Sequence, residues 1–274
     1  MIELPEAFVL SNQLSLELKG KKIIKVIAAQ SPHKFAWFSG DPTSYDDLLR
    51  NKSIAGSHAF GGQLELRVDD MTLVFSDGVN LQYHFSQNSL PQKHQLLIEF
   101  DDHSYLCATI SMYGGLLCTP TGENDNQYYL IAKRKPSPLG DNFDWDYFQS
   151  LFSSDDAKLS LKAFLATNQR IPGLGNGVLQ DILFNAGFHP KRKVMSLNEE
   201  QKQQLFFALK NTLLSMTEQG GRDTEKDLYS KPGGYQTLLS KNTIGKPCVH
   251  CGTDLVKEAY LGGSIYYCSG CQKL

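Results

Sequence analysis

The chain has 274 residues, 41% hydrophobic and 20% charged, which is apolar material for one large or two modest cores. That composition excludes a disordered tail, a collagen-like repeat and a disulfide-stapled miniprotein. The longest uncharged apolar runs are about eight residues, against the roughly 20 that cross a bilayer, so no membrane association is expected.

The opening MIELPEAFVL carries Glu3 and Glu6 where an export signal carries basic side chains, so the expected location is cytoplasmic. A net charge of −2 conceals an asymmetry. Residues 1–130 hold nine basic against fifteen acidic side chains (−6), and residues 131–274 hold eighteen against fourteen (+4). A polyanionic partner would be gripped by the second half, although two ordinary solvated faces give the same counts.

In chain order, residues 5–19 space apolar side chains as one face of a helix, with Pro5 in its first turn. From about 22 to 132 the runs KIIKVIAA, QLELRV, TLVFS, HQLLIEF, YLCATISMY and YYLIAK alternate with Gly, Asp, Asn and Pro. Short strands broken by turn signals predict a β-sandwich or barrel. The basic, proline-bearing stretch 133–145 marks a boundary. Helices are expected over 154–168, 179–188 and 197–216, the last capped by Ser196 or Asn198. The segment GGRDTEKDLYSKPGGYQ is predicted to be a loop too polar and Gly-rich to pack. Cys107 and Cys118 sit in strand text and read as buried thiols.

Two motifs carry chemistry. Cys248, Cys251, Cys268 and Cys271 form C-x2-C-x16-C-x2-C, two knuckles able to complete one tetrahedral zinc shell around a hairpin turning at Gly262-Gly263. So small a module needs its one structural ion to fold. Two disulfides are the alternative, disfavoured in a reducing compartment. GLGNG at 173–177 reads as a tight turn opening a helix, with Gly173 and Gly175 free to take positive φ. Asn176 is the expected N-cap, and free N–H groups are open to a phosphate. A plain helix–helix turn fits the same five residues. Lys158 and Lys162 lie nearby.

ELPE at 3–6, the run from Lys158 through GLGNGVLQDILFNAGFHP, the EQGG…DLYSKPGGYQ segment and the closing CxxC…YYCSGCQ stand in one order at set separations. The sequence resembles the formamidopyrimidine-DNA glycosylase/endonuclease VIII (Fpg/Nei) family over nearly its whole length. The resemblance implies an α+β protein with three parts: an N-terminal helix plus β-sandwich domain (1–132), a helix-two-turn-helix domain (133–242) and a zinc-finger hairpin (243–274). DNA would lie in the cleft with a damaged base flipped out.

The resemblance also locates departures. The family's nucleophile is an N-terminal proline amine, and here Ile2 follows a Met1 expected to be retained. The family's turn lysine falls at Gly62 and its zinc-hairpin arginine at Gly263, both phosphate-holding positions. Met112-Tyr113 stands where Arg-Phe is usual, with Tyr113 as the wedge. Glu3 matches the glutamate that protonates the sugar ring oxygen, and Glu6 the second acidic position. Lys158, Asn176 and the four cysteines keep their places.

Three readings stand at this point. One is a monomeric protein that binds damaged or abasic double-stranded DNA, with base excision weakened, altered or lost. The second is an active lyase using the Met1 α-amine, with Glu3 and Glu6 beside it. The third is a zinc ribbon that binds RNA or protein.

Overall fold

The computed structural model describes residues 2–76 and 78–274, so Met1, the candidate substitute nucleophile, lies outside the described residues. Helix α1 (Leu4–Leu18) begins after Glu3, with Pro5 in its first turn as expected. Among the described residues nine strands follow before the next long helix: β1 (Ile23–Ala28), β2 (Ala36–Phe38), β3 (Ile54–Phe60), β4 (Gln63–Val68), β5 (Met71–Phe75), β6 (Val79–His84), β7 (Leu96–Phe100), β8 (Tyr105–Ile110) and β9 (Gly114–Pro120). A short helix, α2 (Tyr45–Leu49), lies between β2 and β3.

The strands form a four-stranded sheet, β1-β7-β8-β6, and a five-stranded sheet, β2-β9-β5-β4-β3. Their pairings are antiparallel except that of β2 with β9. Helix α1 packs on β3 and β4, and Leu14, Leu18, Ile23, Leu64, Phe75 and Phe100 from both sheets and the helix share one solvent-free core. Cys107 and Cys118 are buried, and burial pushes each thiol up to about 12, as inert core groups require.

The run YYLIAK is not a strand. It belongs to helix α3 (Gln127–Arg134), because Asn126 accepts from the Tyr129 N–H at 3.1 Å as N-cap. Tyr129 and Ala132 bury one face and Lys133 and Arg134 close the last turn. This helix crosses the 132/133 division expected from the sequence.

Beyond it come α4 (Trp145–Ser150), α5 (Leu161–Ala166), α6 (Asn176–Asn185) and α7 (Glu199–Glu218), packed around Phe143, Phe148, Phe164, Val178, Ile182 and Leu209. The helix expected over 154–168 is shorter. Asp156 is drawn onto Arg170, at 2.6 and 2.9 Å, and Ser160 caps α5 by accepting from the Ala163 N–H. Asn198 caps α7. Strands β10 (Leu255–Tyr260) and β11 (Gly263–Cys268) make the C-terminal hairpin, seated on α6 through Phe184, Leu239 and Leu255.

The Gly-rich segment 219–236 packs, contrary to its composition. Arg222, Leu228 and Tyr235 are buried, Leu228 in the β-sandwich core and Tyr235 in the helical one. Its polar groups find partners on the first lobe. Gln13 Nε2 donates to Asp227, the Leu228 N–H donates to Gln13 Oε1, and the Tyr83 N–H donates to the Leu228 carbonyl at 2.8 Å. The segment is a strap between the two lobes.

Candidate active site

The first residues of the chain meet the GLGNG turn. Glu3 is buried rather than a solvated terminal carboxylate, and its oxygens accept from the Gly177 and Val178 N–H groups at 2.9 and 2.8 Å. The positive end of α6 therefore holds a carboxylate of the chain itself, where the sequence suggested an open phosphate site. Asn176 is the first residue of α6 and Gly175 precedes it as N-cap. The Asn176 amide donates instead to the Ser264 carbonyl of the hairpin at 3.0 Å.

The glycines are explained by crowding. Gly173 has φ +78°, and a Cβ there would lie 2.3 Å from the Gly62 nitrogen of the β3–β4 turn. Gly175 has φ −97°, so its requirement is space: a Cβ would meet Glu3 Oε1 at 2.5 Å. A Cβ on Gly177 would fall on the Arg222 guanidinium.

Arg222 joins the two acids. It donates to both Glu6 oxygens, through Nε at 2.9 Å and Nη2 at 2.7 Å, and its Nη1 stands 3.3 Å from Glu3 Oε2. The Arg222 N–H also reaches Glu6 Oε1. Burial opposes the guanidinium charge, but the two carboxylates outweigh it and keep Arg222 ionised. Burial holds Glu3 above the usual carboxylate range despite Arg222 and two N–H donors. Burial would raise Glu6 as well, yet the charge and hydrogen bonds of Arg222 win and hold it below. The two neighbouring carboxyls are thus pushed in opposite directions, Glu3 up and Glu6 down. Arg222 went unnoticed in the sequence, where only its place in the polar EQGG segment marked it.

Beside this triad lies a cavity of about 340 Å³ between α1, β6, β8 and the strap, lined among others by Glu6, Asn80, Gln82, Thr109, Thr224 and Asp227. Ile2 is buried in the sandwich core and also lines this cavity.

The remaining expected residues are dispersed. Tyr113 stands partly exposed on the β8–β9 turn beside Trp37. Lys158 is exposed in the turn before α5. Lys162 is buried instead of solvated: its Nζ donates to the Tyr260 carbonyl at 2.7 Å, and burial lowers its pKa. That ammonium lies 3.5 Å from where a Cβ on Gly263 would stand, so α5 brings a cation to the hairpin turn that lacks one of its own.

The sulfurs of Cys248, Cys251, Cys268 and Cys271 all lie within 4.8 Å of one another. The Cys248–Cys271 and Cys251–Cys268 separations are 3.8 and 3.4 Å, too long for disulfides. A tetrahedral ion with metal–sulfur bonds of about 2.3 Å sets sulfurs about 3.8 Å apart, so the donor set fits such an ion.

Two lobes joined at the buried Glu3–Arg222–Glu6 triad, a GLGNG-opened helix and a four-cysteine hairpin are the features that a helix-two-turn-helix protein combines. The formamidopyrimidine-DNA glycosylase H2TH domain model matches residues 135–227. Formamidopyrimidine-DNA glycosylases of Klebsiella pneumoniae and Salmonella heidelberg are each 35% identical over 164 residues, spanning 59% of this chain and 59% of the relative. The fold matches Lactococcus lactis Fpg in complex with abasic-site DNA (TM-score 0.84, 22% identity, 99% of this chain and 100% of that one). It also matches MutM (Fpg) of Thermus thermophilus (TM-score 0.82, 22% identity, 98% of each chain). Residues 135–227 are therefore similar to the H2TH domain of formamidopyrimidine-DNA glycosylases, and the chain spans 59% of the length of the curated relatives it matches. Among the described residues, no helix is long and apolar enough to cross a membrane.

Proposed function

We propose that the protein binds damaged or abasic double-stranded DNA in base excision repair, with the flipped nucleotide entering the cavity beside Glu6 and Glu3 carrying the proton at the sugar. The observation behind this reading is the Glu3–Arg222–Glu6 triad. Glu3 is a carboxyl whose pKa burial raises, held 2.8 Å from the Val178 N–H and joined through Arg222 to Glu6, which lines the cavity, so it is placed to give up a proton beside that cavity. Glu6, held ionised, anchors Arg222 and keeps the strap against the cavity.

Tyr113 fills the gap a flipped base leaves, Lys158 contacts phosphate, and Asn176 with Lys162 holds the hairpin against α6. The four cysteines bind one zinc ion, whose contribution is to cross-link the hairpin.

The test is borohydride trapping on a duplex with one abasic site, with Glu3→Gln as control. A trapped adduct with strand cleavage identifies an amine that performs Schiff-base chemistry, and peptide mapping names it. A shifted complex with no adduct assigns the scaffold to lesion binding alone. Neither adduct nor shift overturns the reading.

A further inference from the structure

On the sandwich edge, Ala36 and Phe38 of β2 pack toward the core, while Trp37 between them and Phe35 just before the strand are 52% and 48% exposed. Strand β2 pairs in parallel with β9, Trp37 opposite Gly115, and the Phe35 carbonyl accepts from the Gly114 N–H at 3.0 Å, so both rings stand on hydrogen-bonded backbone. Trp37 lies 6.1 Å from the Tyr113 ring, and Met112 beside it is 62% exposed. Lys34 places its ammonium 5.3 Å from the Phe35 centroid. Trp37 and Tyr113 thus stand as a pair at this edge, with Phe35 and its cation two positions before Trp37, and neither burial nor core packing accounts for Phe35 and Trp37. Thr109, on the strand leading to this turn, lines the cavity. Tyr113 is four residues further on, at most about 14 Å along the chain.

We propose that Phe35, Trp37 and Tyr113, with Lys34, form a stacking platform for unpaired bases of a single-stranded DNA segment next to the lesion. This deepens the proposed function, since flipping one nucleotide leaves its opposite base unpaired. Rings stack on any base face and a neighbouring cation meets the backbone, the pairing by which single strands are held without sequence preference. A protein partner would gain little from Lys34 placed over an exposed ring.

The probe is an oligothymidylate of about twelve nucleotides, within the span that single-strand sites cover. It is titrated into the full chain while tryptophan emission is followed, and a fluorescein-labelled copy gives the affinity of every variant by anisotropy. The chain has two tryptophans, and Trp145 packs in the helical core, so stacking is read from Trp37. Quenching is expected, with Trp37→Ala and Phe35→Ala each weakening affinity about tenfold or more, and Trp37→Phe retaining most of it. Absence of quenching, or equal affinity in Trp37→Ala and the unaltered chain, overturns the platform. The same proteins are titrated with an abasic duplex. Retained duplex binding alongside a failed single-strand titration overturns the platform alone, and binding to neither probe overturns the proposed function as well.

Discussion

Arg222 donates to both oxygens of Glu6 across 216 positions of sequence, and the same guanidinium stands 3.3 Å from Glu3. One side chain from the strap thereby holds Glu6 below the usual carboxylate range and opposes the rise that burial imposes on Glu3.

Replacing Arg222 with leucine leaves two buried carboxylates unpaired, which should cost about 3–5 kcal/mol of stability at pH 7. In that variant both folded pKa values lie above their unfolded ones. The folded state then binds more protons, and its deficit should shrink as pH falls from 7 toward 5. Denaturant midpoints at the two pH values check this; an equal deficit at both would refute the charge argument.

The proposed function has Glu3 deliver a proton, and burial raises its pKa. DNA processing should therefore persist above the ordinary carboxylate range and fall as pH rises through the raised value. Glu3→Gln keeps an acceptor for Gly177 or Val178 and should fold. It should bind abasic duplex while losing turnover and the alkaline limb of the pH–rate profile. Unchanged turnover in that variant would remove Glu3 from the chemistry.

Metal analysis should find one zinc per chain. Cys268 has no solvent exposure, so Cys268→Ser should lose the ion and loosen the hairpin while the sandwich stays folded. Duplex affinity should fall with it, because Asn176 and Lys162 both lean on that hairpin. A metal-free chain with an ordered hairpin in NMR spectra would contradict the assignment.

Lys158 is exposed and should act as a single phosphate contact. Lys158→Ala should reduce the slope of log affinity against log salt by about 0.9 and weaken all duplexes alike. Adding Asn176→Ala should weaken binding further without a second change in slope, since that side chain is neutral. Unaltered affinity in the double variant would leave the turn purely structural.

Leu228 sits in the sandwich core although it belongs to the strap. Leu228→Ala should cost about 2–5 kcal/mol and open residues 224–233 to proteolysis before the core unfolds. Cleavage only after global unfolding would argue against a separately detachable strap.

Much of the fold was legible because its signals are local. Pro5 after an acidic cap, alternation in QLELRV and the cysteine spacing each dictate structure within a few residues. The readings that needed correction depend on contacts distant in sequence. YYLIAK is rich in strand formers, but the Asn126 cap and the burial of Tyr129 and Ala132 make it helical. Asn176 suits an N-cap by type, yet Glu3 arrives from 174 residues away to occupy that helix end. Composition labelled the strap as unpacked because it counts polar groups without their partners, and Gln13, Glu6 and Tyr83 supply those. Arg222 and the cavity were invisible for the same reason.

The strap has a mechanical consequence. It is fastened to the sandwich by Leu228 and Asp227 and to the helices by Tyr235, so the gap between the lobes is set before any partner arrives. A jaw held to that span by the strap would leave the work of deformation to a duplex bound as proposed. Smoothly bending 20–30 base pairs costs about 1–6 kcal/mol, and less where a site is already limp. Under the proposed function such a jaw would sort DNA by its compliance: an abasic gap or a mismatch would seat readily and intact duplex would resist, with no base edge read.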